Sequence, residues 1–272
     1  MSRSFHSLFL TLALVACVSK PTPYDEGRFV VEGWIDDGAE PVVLVTSLVT
    51  ASSQPQRKED LEKHLIAIAE VVVTEGDHRY TLTGRRDEHY LPPYVYTTDA
   101  FKGEAGKTYG LEVRYLNRTC RGSATIPEAS EVESFTVTPE SDTLYSLKAK
   151  LRSRAGASYK FFTRVEKRDS TFCSSLLGVV RGNGERMEVP VSRGWSILTE
   201  WRQPLFRKGE IVHVRCCSIE DAMYDFWKSF DDVTSLARNP IFPVTNNVVP
   251  NLHGAYGYWA GYGAREYTVE IK

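Results

Sequence analysis

The chain has 272 residues, 42% of them hydrophobic, with 33 basic and 35 acidic side chains and a formal charge of −2. That is enough apolar material for one large or two small cores. The near balance of charge excludes the strongly basic face of a nucleic-acid binder. Beyond the N-terminus no apolar run reaches the roughly 20 residues that a membrane-crossing helix needs.

The first residues read as an export signal. Arg3 supplies a positive start, and Leu8 to Val15 an apolar stretch too short to span a bilayer. Leu14-Val15-Ala16-Cys17 resembles the lipobox of bacterial lipoproteins, in which small or aliphatic residues admit the backbone to a peptidase and the cysteine thiol takes the lipid. Residues 1–16 are therefore expected to be removed, leaving Cys17 as an acylated N-terminus of the palmitate type. More than one acyl chain holds a protein stably in a lipid bilayer, because each buried methylene contributes about 0.8 kcal/mol. Val18 follows in place of an inner-membrane-retaining Asp, which points to the outer membrane and leaves periplasmic or surface side open. Residues 17–27, with Pro21 and Pro23, form a short tether.

The body reads as strands. Arg28–Ile35 is β-branched and aromatic and ends at Asp36-Asp37-Gly38. Pro41–Thr46 is nearly continuous in apolar residues, the pattern of a strand buried on both faces. A polar stretch over 50–64 is expected to end in a short helix near Asp60–His64. Glu70–Glu75, Gly76-Asp77 and His78–Thr83 spell a hairpin. Tyr90-Leu-Pro-Pro-Tyr-Val-Tyr96 reads as a proline-stiffened aromatic loop. Lys107–Tyr115 alternates and turns at Asn117-Arg118 into Cys120–Ile126, which Pro127 stops. About seven short strands in some hundred residues is the profile of an immunoglobulin-like sandwich, expected over 28–127.

A second β-rich domain is expected over 132–272. Its strands are Val132–Thr138, Leu144–Arg152, Tyr159–Glu166, Leu176–Val180, Arg186–Val191 and Glu210–Cys217, with Asn183-Gly184 as a hairpin turn. One amphipathic helix is expected over about 218–231, capped by Ser218. Ile219, Ala222, Met223, Phe226, Trp227 and Phe230 share its apolar face. The tail alternates glycines with aromatics from Gly254 to Gly263 and continues as a strand over Arg265–Ile271.

Four cysteines remain in the body, and an exported chain permits disulfides. Three connectivities are open, and a Cys173–Cys216 bridge is one candidate. Nothing has the spacing of a metal site. Asp142-Thr143-Leu144 and Asp169-Ser170-Thr171 resemble a bacterial O-glycosylation pattern, making Thr143 and Ser170 candidates.

Val30-Val-Glu-Gly-Trp-Ile35, Gly103–Tyr109 with Thr125-Ile-Pro127, and the tail from Asn239-Pro240 through Tyr262 together resemble domain of unknown function family 4249. The resemblance runs in order over about 28–272. It implies an outer-membrane lipoprotein of Bacteroidetes-type bacteria whose partner is a TonB-dependent receptor in nutrient uptake. It implies no catalytic residue and no cofactor.

The residues themselves show no reaction centre: there is no G-x-S-x-G elbow and no H-E-x-x-H. Asp36-Asp37 and Asp231-Asp232 lack further oxygen ligands nearby in sequence for Ca²⁺. The positive clue is aromatic. Tyr90, Tyr94 and Tyr96 in the loop, with Tyr258, Trp259 and Tyr262 in the tail, are candidates for contact with a ligand or partner, against the alternative of core packing. The expected function is a non-enzymatic accessory or binding subunit, with direct glycan or peptide capture as the alternative and a hydrolase as the remote one.

Overall fold

The computed structural model describes residues 29–48, 58–194, 204–236 and 248–272. Cys17, the export signal and the tether lie outside them. The described fold is mainly β, built of sandwich-like sheets with one long helix.

The N-terminal half holds β1 (Phe29–Asp36), β2 (Val42–Ser47), α1 (Lys58–Glu62), β3 (Glu70–Glu75), β4 (His78–Arg86), β5 (Tyr94–Thr97), β6 (Thr108–Tyr115) and β7 (Arg118–Thr125). Alternation decides what β1 buries: Phe29, Val31, Gly33 and Ile35 turn inward, while Glu32, Trp34 and Asp36 turn outward. β2 is buried on both faces, as its unbroken apolar run predicts. Val43 and Val45 enter the first core, and Val42 and Leu44 join Val95 on the opposite side. β3 and β4 close the expected hairpin, with Glu75 opposite His78 and Gly76 at φ 55° in the turn.

The second half holds β8 (Val132–Pro139), β9 (Leu144–Arg152), β10 (Ser158–Val165), β11 (Cys173–Arg181), β12 (Arg186–Val191), β13 (Phe206–Arg207), β14 (Ile211–Ile219), α2 (Asp221–Leu236), β15 (Leu252–His253) and β16 (Tyr256–Glu270). A path of twelve strands runs β11-β10-β14-β16-β1-β2-β5-β4-β3-β6-β7-β15, and β12-β9-β13, with β8 against β9, makes a smaller sheet. The second core lies between that smaller sheet and β10-β14-β16, around Leu147, Leu151, Phe161, Val214 and Ile271.

β16 joins the halves. Residues Tyr256–Tyr262 run parallel to β1, and Gly263–Glu270 run antiparallel to β14. The strand thus begins well before Arg265, and its first part completes the first sandwich, where Leu252, Ala255 and Trp259 are core residues. The segment packs with the first sandwich and not only within the second domain expected over 132–272; parallel pairing with a strand over 200 residues away leaves no local signal. The tail glycines follow from this packing. Gly257 has φ 102°, and a Cβ there would collide with the Val31 carbonyl; Gly261 and Gly263 lie against the backbone of residues 125–129.

Other expectations are corrected. Asn183-Gly184 makes no hairpin, since β11 pairs with β10 and β12 pairs with β9; the turn carries the chain from one sheet to the other. Ser218 caps no helix. β14 runs on to Ile219 because β10 pairs with it through Ser158, so Ser218 sits inside a ladder. The helix begins at Asp221, and the Glu220 carbonyl accepts the Tyr224 N–H at 2.9 Å. Met223, Phe226, Trp227 and Phe230 still form its packed face, with Ile219 joining from the strand, while Ala222 is exposed. Tyr94 and Tyr96 lie on β5 rather than in a loop.

The Cys173–Cys216 bridge is not formed; Cys120, Cys173, Cys216 and Cys217 are free. Cys173 is opposite Thr163 on β10 and Cys216 opposite Phe161 across the other edge of the same strand. Two strand spacings of about 4.8 Å separate them, beyond the roughly 7 Å Cα separation that a disulfide tolerates.

Candidate site: a cleft over the shared strand

The outward residues of β1 meet those of its neighbours in register. Glu32 lies beside Tyr258, Trp34 beside Ala260 and Asp36 beside Tyr262 on β16. On the other side Glu32 lies beside Leu44 and Trp34 beside Val42. The same face continues to Arg215 of β14, which is paired with Phe162 of β10 and Glu266 of β16. These side chains floor a cleft of about 780 Å³. One wall is the segment before β5, with His89, Tyr90 and Leu91. Across the floor strands from it lie Ser170, Thr171 and Phe172 with Arg164, and Lys102 and Glu40 also line the cleft.

Aromatic rings supply much of the lining. Tyr90 stands 6.0 Å from Trp34, tilted by 46°. Tyr258 and Tyr262 are almost fully buried, each with one face packed into the cluster under α2, where Tyr258 is 4.9 Å from Phe226 and Tyr262 5.8 Å from Phe162. Burial pushes both phenols well above their ordinary pKa, so they are neutral hydrogen-bonding groups. Trp227 Nε1 donates to the Tyr262 hydroxyl at 3.3 Å.

The charges divide into two kinds. Asp36 and Arg215 form an ion pair that ties β1 to β14, with Arg215 also 5.5 Å over the Tyr262 ring. Loss of water raises the Asp36 pKa despite the facing guanidinium. Asp36 Oδ1 and Arg215 Nε are buried without a hydrogen-bond partner. Glu32 is different: its side chain opens to the cleft, yet the surrounding walls displace enough water to raise its carboxyl pKa. No hydrogen bond or ion pair within the described residues satisfies it.

The aromatic candidates are thus sorted by the fold. Tyr90, Tyr258 and Tyr262 come together in the cleft. Tyr94 lies over Gly84 and donates to the Ala67 carbonyl at 3.3 Å. Tyr96 is buried, donating to the Ile66 carbonyl at 2.8 Å and accepting from Ala69 N–H at 2.9 Å. Trp259 is fully buried and donates to the Tyr109 carbonyl at 2.9 Å. Those three are packing residues because alternation turns them, or their length carries them, away from the cleft. Thr143 is exposed in the turn before β9, and Ser170 is exposed among the residues lining the cleft.

Glu32, Trp34, Phe162 and Arg215 are not among the candidate site residues that the sequence offers, and Asp36 enters there only as a weak Ca²⁺ ligand. For β1 a signal existed: polar Glu32 and Asp36 alternate with buried residues, marking a functional or solvent face. For Phe162 and Arg215 no local signal exists, since only strand pairing brings them here.

Of the acids considered for Ca²⁺, Asp36 pairs with Arg215, Asp231 with Lys160 at 3.0 Å and Asp232 with Lys228 at 3.3 Å, while Asp37 Oδ1 accepts the Ala105 N–H at 3.1 Å. His89 Nδ1 lies 2.8 Å from Asp87, but no described hydroxyl or thiol is hydrogen-bonded to its other nitrogen, and the ring is 89% exposed. Burial raises the Cys217 thiol, beside Arg215, to about 12, which leaves it protonated and a poor nucleophile near neutrality. What this arrangement can do chemically is hold a ligand by ring contact and charge.

No curated protein matches the chain. Among solved structures, a chain of a cytokine receptor complex is 10% identical with a TM-score of 0.25, over 71% of this chain and 86% of that one. A two-domain fibronectin type-III segment from chicken tenascin is 10% identical with a TM-score of 0.21, over 70% and 90%. The family described as Domain of unknown function (DUF4249) matches residues 18–268, and the chain belongs to that family.

Proposed function

We propose that the mature protein is an outer-membrane lipoprotein, held in the bilayer by acylated Cys17, that captures a small ligand in the cleft without altering it and works beside a TonB-dependent receptor in nutrient uptake. One observation carries the capture: Trp34, Tyr90, Tyr258 and Tyr262 converge with charged groups in a concavity of about 780 Å³. Ligand sites generally occupy about 300–1,000 Å³ and combine apolar walls with a few polar groups. The membrane placement rests on the lipobox around Cys17, and the receptor partnership on the family resemblance. The concave floor favours direct capture over an accessory role that needs only a flat docking face.

The test uses the full-length protein purified in mild detergent. Glycan and peptide libraries are screened for binding, and each hit is repeated with Trp34→Ala. Hits that Trp34→Ala weakens at least tenfold support capture in the cleft. Hits indifferent to that change, or none, overturn it. In cells, Cys17→Ala releases the protein from the membrane fraction if the anchor is as proposed.

A further inference from the structure

We infer that the cleft recognises a compact organic cation, an ammonium group seated against Glu32 and the rings around it; this rests on the capture reading. Glu32 stands in an apolar frame, with Tyr258 beside it on β16, Leu44 beside it on β2 and Trp34 two residues along on the same face. These neighbours take part of the water from a carboxylate that still opens to the cleft, and no ion pair among the described residues replaces it, so its pKa is raised.

Among the described residues no cation forms an ion pair with it, although Arg85, Lys102, Arg164 and Arg215 line the same cleft. Arg215 is committed to Asp36. Arg164 lies 5.5 Å over the Phe172 ring, and Arg85 is within 4.0 Å of Asp87. None of these, nor Lys102, forms an ion pair with Glu32. Glu40 and Glu266 also line the cleft, but it is Glu32 that the strand register sets beside Trp34 and Tyr258 with no ion pair among the described residues.

That combination selects the kind of cation. A hard metal ion requires several oxygen ligands, and among the described residues no three His, Cys, Asp or Glu side chains group closely enough to hold one. An organic ammonium fits both parts: its charge meets the carboxylate, and its C–H-bearing flank meets the faces of Trp34 and Tyr258. A desolvated charge-assisted hydrogen bond is shorter and stronger than a neutral one, so discrimination against a neutral isostere follows. The group could be borne by a peptide lysine or by an amino sugar.

Two probe pairs distinguish these sources, titrated by calorimetry into the full-length protein in detergent. The first is the capped tripeptide Ala-Lys-Ala and its norleucine isostere; the second is glucosamine and N-acetylglucosamine. The expected result is that the cationic member of at least one pair binds at least tenfold more tightly than its neutral partner. Glu32→Gln is expected to abolish that preference while keeping the thermal transition cooperative. The pair that shows the preference identifies the source. Equal affinities within both pairs, or a preference that survives Glu32→Gln, overturn the inference. If neutral ligands bind and lose affinity on Trp34→Ala but not on Glu32→Gln, capture stands and the cation site falls. If no probe or library member binds the cleft, both fall.

Discussion

Replacing Trp259 by alanine tests whether the tail is structural core. The indole is fully buried in the first sandwich and lies against Gly33, where a Cβ would come within 2.8 Å of its Cε3 atom. Its Nε1 donates to the Tyr109 carbonyl at 2.9 Å, and its backbone is held on both sides by Asn251, whose side chain accepts from Trp259 N–H at 2.9 Å and donates to its carbonyl at 2.6 Å. Truncating a buried tryptophan costs about 3–5 kcal/mol, and leaving a buried carbonyl unpaired adds about 1–3 kcal/mol. The combined loss, about 4–8 kcal/mol, is a large share of a domain's usual stability of about 5–15 kcal/mol. Trp259→Phe separates the two contributions, since it keeps most of the packing and loses the donor. Urea unfolding followed by far-ultraviolet circular dichroism measures both variants. A loss for Trp259→Ala below about 2 kcal/mol would fall short of any buried tryptophan, and would refute the placement of the tail in the first core.

Further outcomes are expected. The raised pKa of Glu32 means that its protonated form favours the fold: that contribution is full below the unfolded value near 4.3 and is lost as pH rises through the higher folded value. Glu32→Gln therefore raises the urea midpoint at pH 7 and leaves it nearly unchanged at about pH 3.5; equal gains at both would contradict the burial argument. Arg215→Ala strands Asp36, whose side chain is 20% exposed against 10% for Arg215, and is expected to cost about 3 kcal/mol, with Asp36→Asn in the same background recovering part of it. A thiol reagent at about pH 8 is expected to leave Cys120, raised by burial to about 11, and Cys217 unmodified in the native protein. In denaturant Cys120, Cys173, Cys216 and Cys217 should all titrate, and a shortfall would reveal a disulfide.

Local chemistry explains how much of this fold could be read in advance. The unbroken Val42–Val45 run announces burial on both faces, and the Gly76-Asp77 turn announces its hairpin, because both depend on near neighbours. The same reasoning failed at Asn183-Gly184, whose turn chemistry is sound but whose flanking strands belong to different sheets. It failed at Ser218 because pairing with β10 outweighed a capping preference. In the tail, composition marked Tyr258, Trp259 and Tyr262 together; only the parallel register with β1 separates the two tyrosines of the cleft from the tryptophan of the core. The site was half legible for the same reason. Its aromatics stood out, while Glu32 acquires its meaning from Tyr258, which the fold brings from more than two hundred positions away.

Hydrogen exchange on the full-length protein, with and without its tightest ligand, tests capture in the cleft most directly. The account predicts added protection concentrated in 29–36, 87–97 and 256–266, the segments that line the floor and one wall. Protection confined to other surfaces, or spread evenly across both sandwiches, would contradict it.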